Sequence, residues 1–178
     1  MRKVLVLYCS ARKTGNSATL AASFIKGALT KGHQVTEYFI PDKTIAPCLG
    51  CNYCQTHQGE CIQKDDMQEA SRLLQEHDTL VIASPVYYLG FPGSFKLFLD
   101  RTYNESATGR KITASILLTT ACKQEDFVTN TLVQHYRSLA DYLGWKNLGV
   151  ISAQGVESPG EIAGLPCLDA AFQLGLEL

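Results

Sequence analysis

The chain has 178 residues, 46% of them apolar, which fits one domain with a full core and falls short of two. Its 16 basic and 17 acidic side chains leave a net charge of −1, which disfavours nucleic acid and anionic membranes as partners. Seven cysteines, with the apolar start of the chain broken at Ser10 before a secretion signal can form, point to metal or redox chemistry in a cytoplasmic protein rather than to a disulfide framework.

Val4–Leu7 reads as a short buried strand, and Ser17–Lys31 has helical spacing of Leu20, Ala21, Phe24, Ile25, Ala28 and Leu29, ended by Gly32. Gln34–Ile40 alternates toward a second strand. From Pro41 to Lys64 the chain turns irregular, with Pro47, Gly50 and Gly59, and this stretch is read as a functional excursion within a single domain spanning 1–178. Asp65 or Asp66 can cap a helix to about Glu76. Leu80–Ala83 is a third strand, and a helix follows from Ser94 to about Tyr103. Thr113–Thr119 forms a fourth strand, Phe127–Leu143 a helix, Gly149–Ala153 the end of a fifth strand that begins near Lys146, and a last helix spans roughly Leu165 to Leu176. Residues 80–99 are rather apolar, but Pro85, Gly90, Pro92, Gly93 and Lys96 interrupt them and exclude a membrane span. Buried strands joined by helical crossovers predict a parallel sheet with helices on both faces, and ligands of such folds bind outside the carboxyl ends of the strands.

Two loops begin at such ends. In the first, Cys9 to Ala18, a strand empties into a hydroxyl- and glycine-rich turn that opens a helix. Unpaired N–H groups and the positive end of the helix dipole then converge on one point suited to a phosphate. Ser10 and Ser17 can donate hydroxyl hydrogen bonds, Arg12 a charge-assisted fork, and Asn16 can cap the helix or meet an oxyanion. No G-x-x-x-x-G-K-[ST] or G-x-G-x-x-G string follows a strand, so a monophosphate is expected; a plainly capped turn is the simpler alternative. In the second loop, Pro85-Val86-Tyr87-Tyr88 offers apolar and aromatic surface with backbone polar groups beside it, which suits a planar amphipathic ring; packing over the sheet end is its alternative.

The third feature is Cys48-x2-Cys51-x2-Cys54-x6-Cys61. Closely spaced thiols can wrap a cuboidal cluster, whereas zinc sites more usually pair two separate C-x2-C knuckles. A [4Fe–4S] cluster, free thiols and zinc are the competing readings, in that order. Arg101, Lys96 and Lys123 read as surface or helix-end charges, Asp65-Asp66 as a cap and dipole partner, Trp145 as packing at a strand start, and Cys9 and Cys167 as buried and inert.

Together, Ser10-x-Arg12-x-x-Gly15-Asn16-Ser17 and Ser84-Pro85-Val86-Tyr87-Tyr88 resemble the NAD(P)H-dependent FMN reductase and iron-sulfur flavoprotein branch of the flavodoxin-like superfamily, over nearly the whole chain. The resemblance implies a three-layer α/β sandwich with strand order 2-1-3-4-5. It implies FMN phosphate held by Ser10, Arg12, Asn16, Ser17 and the Ala18 amide, and the isoalloxazine ring lying along Pro85, Val86, Tyr87 and Tyr88. A third loop, Thr119 to Cys122, would approach the ring edge, although it lacks the glycine often found there. Cys48, Cys51, Cys54 and Cys61 resemble the compact cysteine motif of the iron-sulfur flavoproteins. The implied function is hydride transfer from NAD(P)H to FMN, with electrons passed to a quinone, a flavin, an iron–sulfur cluster or a partner protein, in a dimer or tetramer. A flavodoxin-like electron carrier and a thiol or metal redox sensor are the competing functions; the near-neutral charge disfavours the carrier.

Overall fold

A computed structural model describes residues 1–178. Five parallel strands run β1 Lys3–Tyr8, β2 Gln34–Phe39, β3 Thr79–Pro85, β4 Ala114–Thr120 and β5 Lys146–Ala153, in spatial order 2-1-3-4-5. Seven helices accompany them: α1 Asn16–Thr30, α2 Tyr53–Thr56, α3 Met67–Glu76, α4 Gly93–Arg101, α5 Glu105–Thr108, α6 Asp126–Leu143 and α7 Pro166–Leu176. The expected α/β sandwich and strand order are therefore present. No helix is long and apolar enough to cross a membrane.

Side-chain alternation along the strands separates two cores. Leu5, Leu7, Leu80, Ile82 and Leu117 face α3, α4 and α6, where Leu74, Phe95, Phe98, Leu132 and Tyr136 meet them. Val4, Val6, Val81, Ala83, Ile116 and Leu118 face α1 and α7, through Leu20, Phe24, Ala28 and Ala171. Both faces of the central strands are thus apolar, which explains why they read as continuous apolar runs rather than alternating ones.

Helices α1 and α7 approach so closely that glycine is required on each. A Cβ at Gly27 would lie 2.1 Å from the Phe172 carbonyl oxygen, and one at Gly175 would lie 2.2 Å from that of Phe24. The obstacle is backbone, which cannot swing aside. Gly175→Ala is expected to destabilise the protein by about 2 kcal/mol in urea unfolding, because forced separation of the helices outweighs the ~1 kcal/mol helix-propensity gain.

The segment 41–64 is less irregular than its prolines and glycines suggest. It contains a 3₁₀ turn at Ile40–Asp42 and the short α2. After α4, where the sequence carries no strong period, a 3₁₀ turn at Thr102–Asn104 leads into α5. These pieces interlock: Gln55 donates to the Tyr103 carbonyl (3.2 Å), Asn104 to the Gly59 carbonyl (3.1 Å), and the Ser106 hydroxyl to Gln55 Oε1 (3.1 Å).

Candidate functional site

β1 delivers Ser10 to the carboxyl edge of the sheet, and β3 delivers Pro85. Between them lies a cleft of about 200 Å³ lined by Ser10, Arg12, Asn16, Ser17, Pro85, Val86 and Tyr87 from the two loops, together with Thr120, Cys122, Val156 and Glu157. The helix that opens into it, α1, has Gly15 at its cap, so no side chain satisfies the first turn. The N–H groups of Asn16, Ser17 and Ala18 have no acceptor within the chain, and neither does the Ser17 hydroxyl. Ser10 Oγ accepts from the Arg12 N–H (3.1 Å), leaving its proton free to donate. An anion accepting these hydrogen bonds would complete the helix end, so the loop fits the phosphate of FMN.

The remaining site residues are placed as follows. Asn16 does not cap α1: its Nδ2 donates to the Ser158 carbonyl (3.0 Å), and its Oδ1 accepts from the N–H groups of Gly160 (3.2 Å) and Ile162 (3.4 Å). The side chain is spent on the loop after β5, and only the Asn16 N–H remains for a ligand. Arg12 donates to the Glu157 carbonyl (3.0 Å), which draws the same loop over the cleft rim. Ala18 is buried behind the first turn and offers only its amide. Thr119 is fully buried with an unpartnered hydroxyl and does not line the cleft; Thr120, turned to the other face by strand alternation, does. Tyr88 is wholly solvent-exposed. Tyr88 and Leu89 sit at φ 47° and 65°, and Tyr87 and Gly90 exchange paired backbone hydrogen bonds of 3.0 Å. This is a type I′ turn built without glycine or asparagine at its centre, at a cost of about 1–2 kcal/mol per residue. Such strain persists where surrounding structure enforces it, and here it projects the tyrosine ring outward.

Val156 and Glu157 were not foreseen as site residues. The available signal was the position of Gln154-Gly155 directly beyond the carboxyl end of β5, with Gly155 at φ 72°.

The cysteine loop holds the largest correction. Arg101 is not a surface charge; it is buried and forms the hub of the loop. Its Nη1 donates to the Ala46 carbonyl (2.9 Å) and Asp65 Oδ2 (2.7 Å), and its Nη2 to Asp65 Oδ1 (3.0 Å) and Cys61 Sγ (3.4 Å). Asp65 also accepts from the N–H groups of Ala46 (2.9 Å) and Met67 (3.1 Å), so it caps α3 as well. Burial pushes the Asp65 carboxyl upward, but the Arg101 fork and the two backbone N–H groups outweigh it and hold the group below the usual carboxylate range. Asp66 instead accepts from the Thr44 N–H (2.7 Å).

Cys48, Cys51, Cys54 and Cys61 line one cavity of about 30 Å³, with Arg101 in its wall. The donor set suits a thiophilic centre, but no three cysteine, histidine or carboxylate side chains are gathered to hold a metal ion, and the cavity is too small for a cluster as folded. All seven cysteines are free thiols; Cys9 is buried as expected, with burial pushing its thiol well up, whereas Cys167 is only half-buried and Cys122 is exposed.

The sheet order and the edge cleft define a flavodoxin-like α/β protein with an anion-receptive helix terminus at its strand ends. The chain belongs to the NADPH-dependent FMN reductase family, whose pattern matches residues 2–152. It is 39% identical over 99 residues to an iron-sulfur flavoprotein of Archaeoglobus fulgidus, covering 56% of this chain and 44% of that protein. It is 31% identical over 100 residues to an iron-sulfur flavoprotein of Methanocaldococcus jannaschii, covering 56% and 51%. The matches thus span about half the length of these relatives. Among solved structures, the NAD(P)H:quinone oxidoreductase of Methanothermobacter marburgensis superposes with a TM-score of 0.72 at 18% identity, over 99% of this chain and 94% of that one. An azoreductase of Bacillus anthracis gives 0.74 at 14% identity, over 100% of both.

Proposed function

We propose that this chain is an FMN-dependent oxidoreductase that takes a hydride from NAD(P)H as a transient substrate and passes electrons to a small-molecule or protein acceptor. The observation that carries the reading is the cleft itself, where three unpaired N–H groups of α1, the Ser10 and Ser17 hydroxyls and Arg12 face Pro85, Val86 and Tyr87. Membership of the FMN reductase family supports it. Bound FMN supplies the hydride-accepting centre and can release electrons singly or in pairs. The protein's part is positioning. The α1 terminus and Arg12 hold the phosphate, Pro85 and Val86 present apolar surface to the ring, and the strained Tyr87–Gly90 turn fixes that surface in place. No side chain has to serve as nucleophile or base. An Arg12→Ala/Ser17→Ala double variant is expected to lose most of its flavin on dialysis, while the flavin-free forms of variant and wild type unfold at similar urea midpoints; undiminished flavin content would contradict the assignment.

For the cysteine loop, the spacing and the names of the curated relatives support a [4Fe–4S] centre on Cys48, Cys51, Cys54 and Cys61. Because the sulfurs are not gathered as folded, loading requires the loop to rearrange. Anaerobic reconstitution with iron and sulfide tests this: uptake of about four irons per chain, lost in Cys54→Ser, supports the centre, and no uptake leaves the loop as thiols. Location in the cytoplasm is proposed on the apolar start broken at Ser10 and on the cysteine usage, and assembly as a dimer or tetramer on the family resemblance.

A further inference from the structure

The strand-end cleft contains one nucleophile that holding a flavin does not use. Cys122 is solvent-exposed yet lines the same cleft as Ser10, Ser17 and Pro85, so its thiol stands at the cleft mouth. The other cysteines are placed differently. Cys9 is buried, Cys54, Cys61 and Cys167 are partly buried, and the exposed Cys48 and Cys51 belong to the loop cavity.

An exposed thiol alone is ordinary, but the polar groups deeper in this cleft are not. Ser10 and Ser17 are only 7% and 4% exposed, and the Ser17 hydroxyl, which faces the cleft, has no partner in the chain. A buried donor left unpaired marks a place where a ligand completes the hydrogen bonding.

Position along the sheet assigns Cys122 to one end of that ligand. Helix α1 follows β1, whereas Cys122 follows β4, and β3 lies between the two strands. At about 4.8 Å per strand spacing, the two ends stand roughly 10 Å apart, comparable to the ribityl chain that joins phosphate to ring in FMN. Cys122 is therefore at the ring end. Nor can it move aside: the Ala121 N–H donates to the Ala153 carbonyl (2.9 Å), the Val156 N–H to the Ala121 carbonyl (2.9 Å), and the Gly155 N–H to the Lys123 carbonyl (3.3 Å). Backbone on both sides of Cys122 is tied to β5 and the loop after it, so a group added to the sulfur stays in the cleft mouth.

We propose that Cys122 is a modification site at which a low-molecular-weight disulfide forms a mixed disulfide and shuts FMN out of the cleft. The inference rests on the FMN reading and adds a thiol control to that same site. In the step, the Cys122 sulfur, having given its proton to solvent, attacks one sulfur of the small disulfide. A new S–S bond forms as the old one breaks, Cys122 is oxidised, and the displaced half leaves as a thiolate that takes up a proton. A reducing thiol reverses the exchange and reopens the cleft.

The test treats the flavin-free full chain with 2-hydroxyethyl disulfide, a neutral reagent, so that repulsion of the FMN phosphate plays no part. Peptide mass mapping is expected to find the hydroxyethylthio group on Cys122. Fluorescence titration is expected to show FMN affinity reduced at least about tenfold and recovered after dithiothreitol, as for extra atoms forced into a packed site. Prior loading with FMN should slow modification of Cys122 at least about tenfold by blocking access, while Cys48 and Cys51 react at an unchanged rate. In Cys122→Ser, compared with itself before and after treatment, the reagent should not alter FMN affinity, which separates Cys122 from the loop thiols. Modified Cys122 with undiminished FMN affinity, a Cys122 left unmodified while Cys48 and Cys51 react, or an equal loss of FMN binding in Cys122→Ser overturns the proposal. Failure of the untreated chain to take up FMN would defeat the FMN reading and the proposal together, whereas uptake that treatment does not change defeats the proposal alone.

Discussion

Arg101→Gln is expected to cost about 3–5 kcal/mol of folding stability, because it leaves the Asp65 carboxylate buried without its counter-ion. Arg101 and Asp65 have side chains only 2% and 12% exposed, so solvent cannot replace the lost partner. The same guanidinium joins Ala46 and Cys61, and its loss should also release the two ends of the cysteine loop. Urea unfolding followed by circular dichroism measures the first effect, and cleavage between residues 47 and 63 by a dilute protease measures the second. An Arg101→Leu/Asp65→Leu double variant should recover much of the stability, since neither charge then needs solvation. Because the folded Asp65 pKa is depressed, its contribution is present above the unfolded value of 3.8 and disappears as the pH falls through the folded value. A loss below about 1 kcal/mol in Arg101→Gln, typical of an exposed pair, would contradict this assignment.

Glu105→Gln is expected to act in the opposite direction. Glu105 is 2% exposed. Burial raises its carboxyl from 4.5 to about 7, against the weaker lowering influence of Arg110 and of a long hydrogen bond from Gln75 at 3.4 Å. A folded-state pKa above the unfolded one means that stability is highest below pH 4.5 and is lost as the pH rises through about 7. That gap corresponds to about 3 kcal/mol once the group is ionised. Glutamine keeps the shape and can still accept from Gln75 without a charge to desolvate. The variant should therefore be more stable than the wild type by about 2–3 kcal/mol at pH 8 and nearly equal to it at pH 4.5. Urea midpoints at the two pH values give the comparison; an equal gain at both would mean that burial of charge is not the cause.

Much of the fold was legible because β1, β3 and β4 are buried on both faces, and a short unbroken apolar run bounded by turn residues suits little except a central strand of a covered sheet. The anion-receptive loop before α1 was legible for a local reason: strand, hydroxyl-rich turn and helix start are contiguous in sequence. What the sequence hid was long-range. Arg101 looks like an ordinary helix-end cation until folding brings Asp65, 36 positions away, to within 2.7 Å. Asn16 looks like a cap until the loop at 158–162 takes both ends of its amide. Tyr88 belonged to an aromatic run that suggested a ring platform, but its positive φ turns it out to solvent. Thr119 was displaced by its neighbour Thr120 through the two-residue period of a strand, which a one-residue uncertainty in strand position conceals. Helix α5 and the 3₁₀ turn before it owe their place to contacts with the cysteine loop rather than to any period of their own.

The central claim is that the α1 terminus grips a phosphate while the Pro85–Tyr87 turn meets the ring attached to it. The most direct measurement is a fluorescence titration of the flavin-free chain with FMN and, separately, with riboflavin, which has the same ring and no phosphate. Several charge-assisted hydrogen bonds at about 1.5–3 kcal/mol each should make FMN bind at least about 100-fold more tightly than riboflavin. Equal affinity for the two, or no binding of FMN at micromolar concentration, would contradict it.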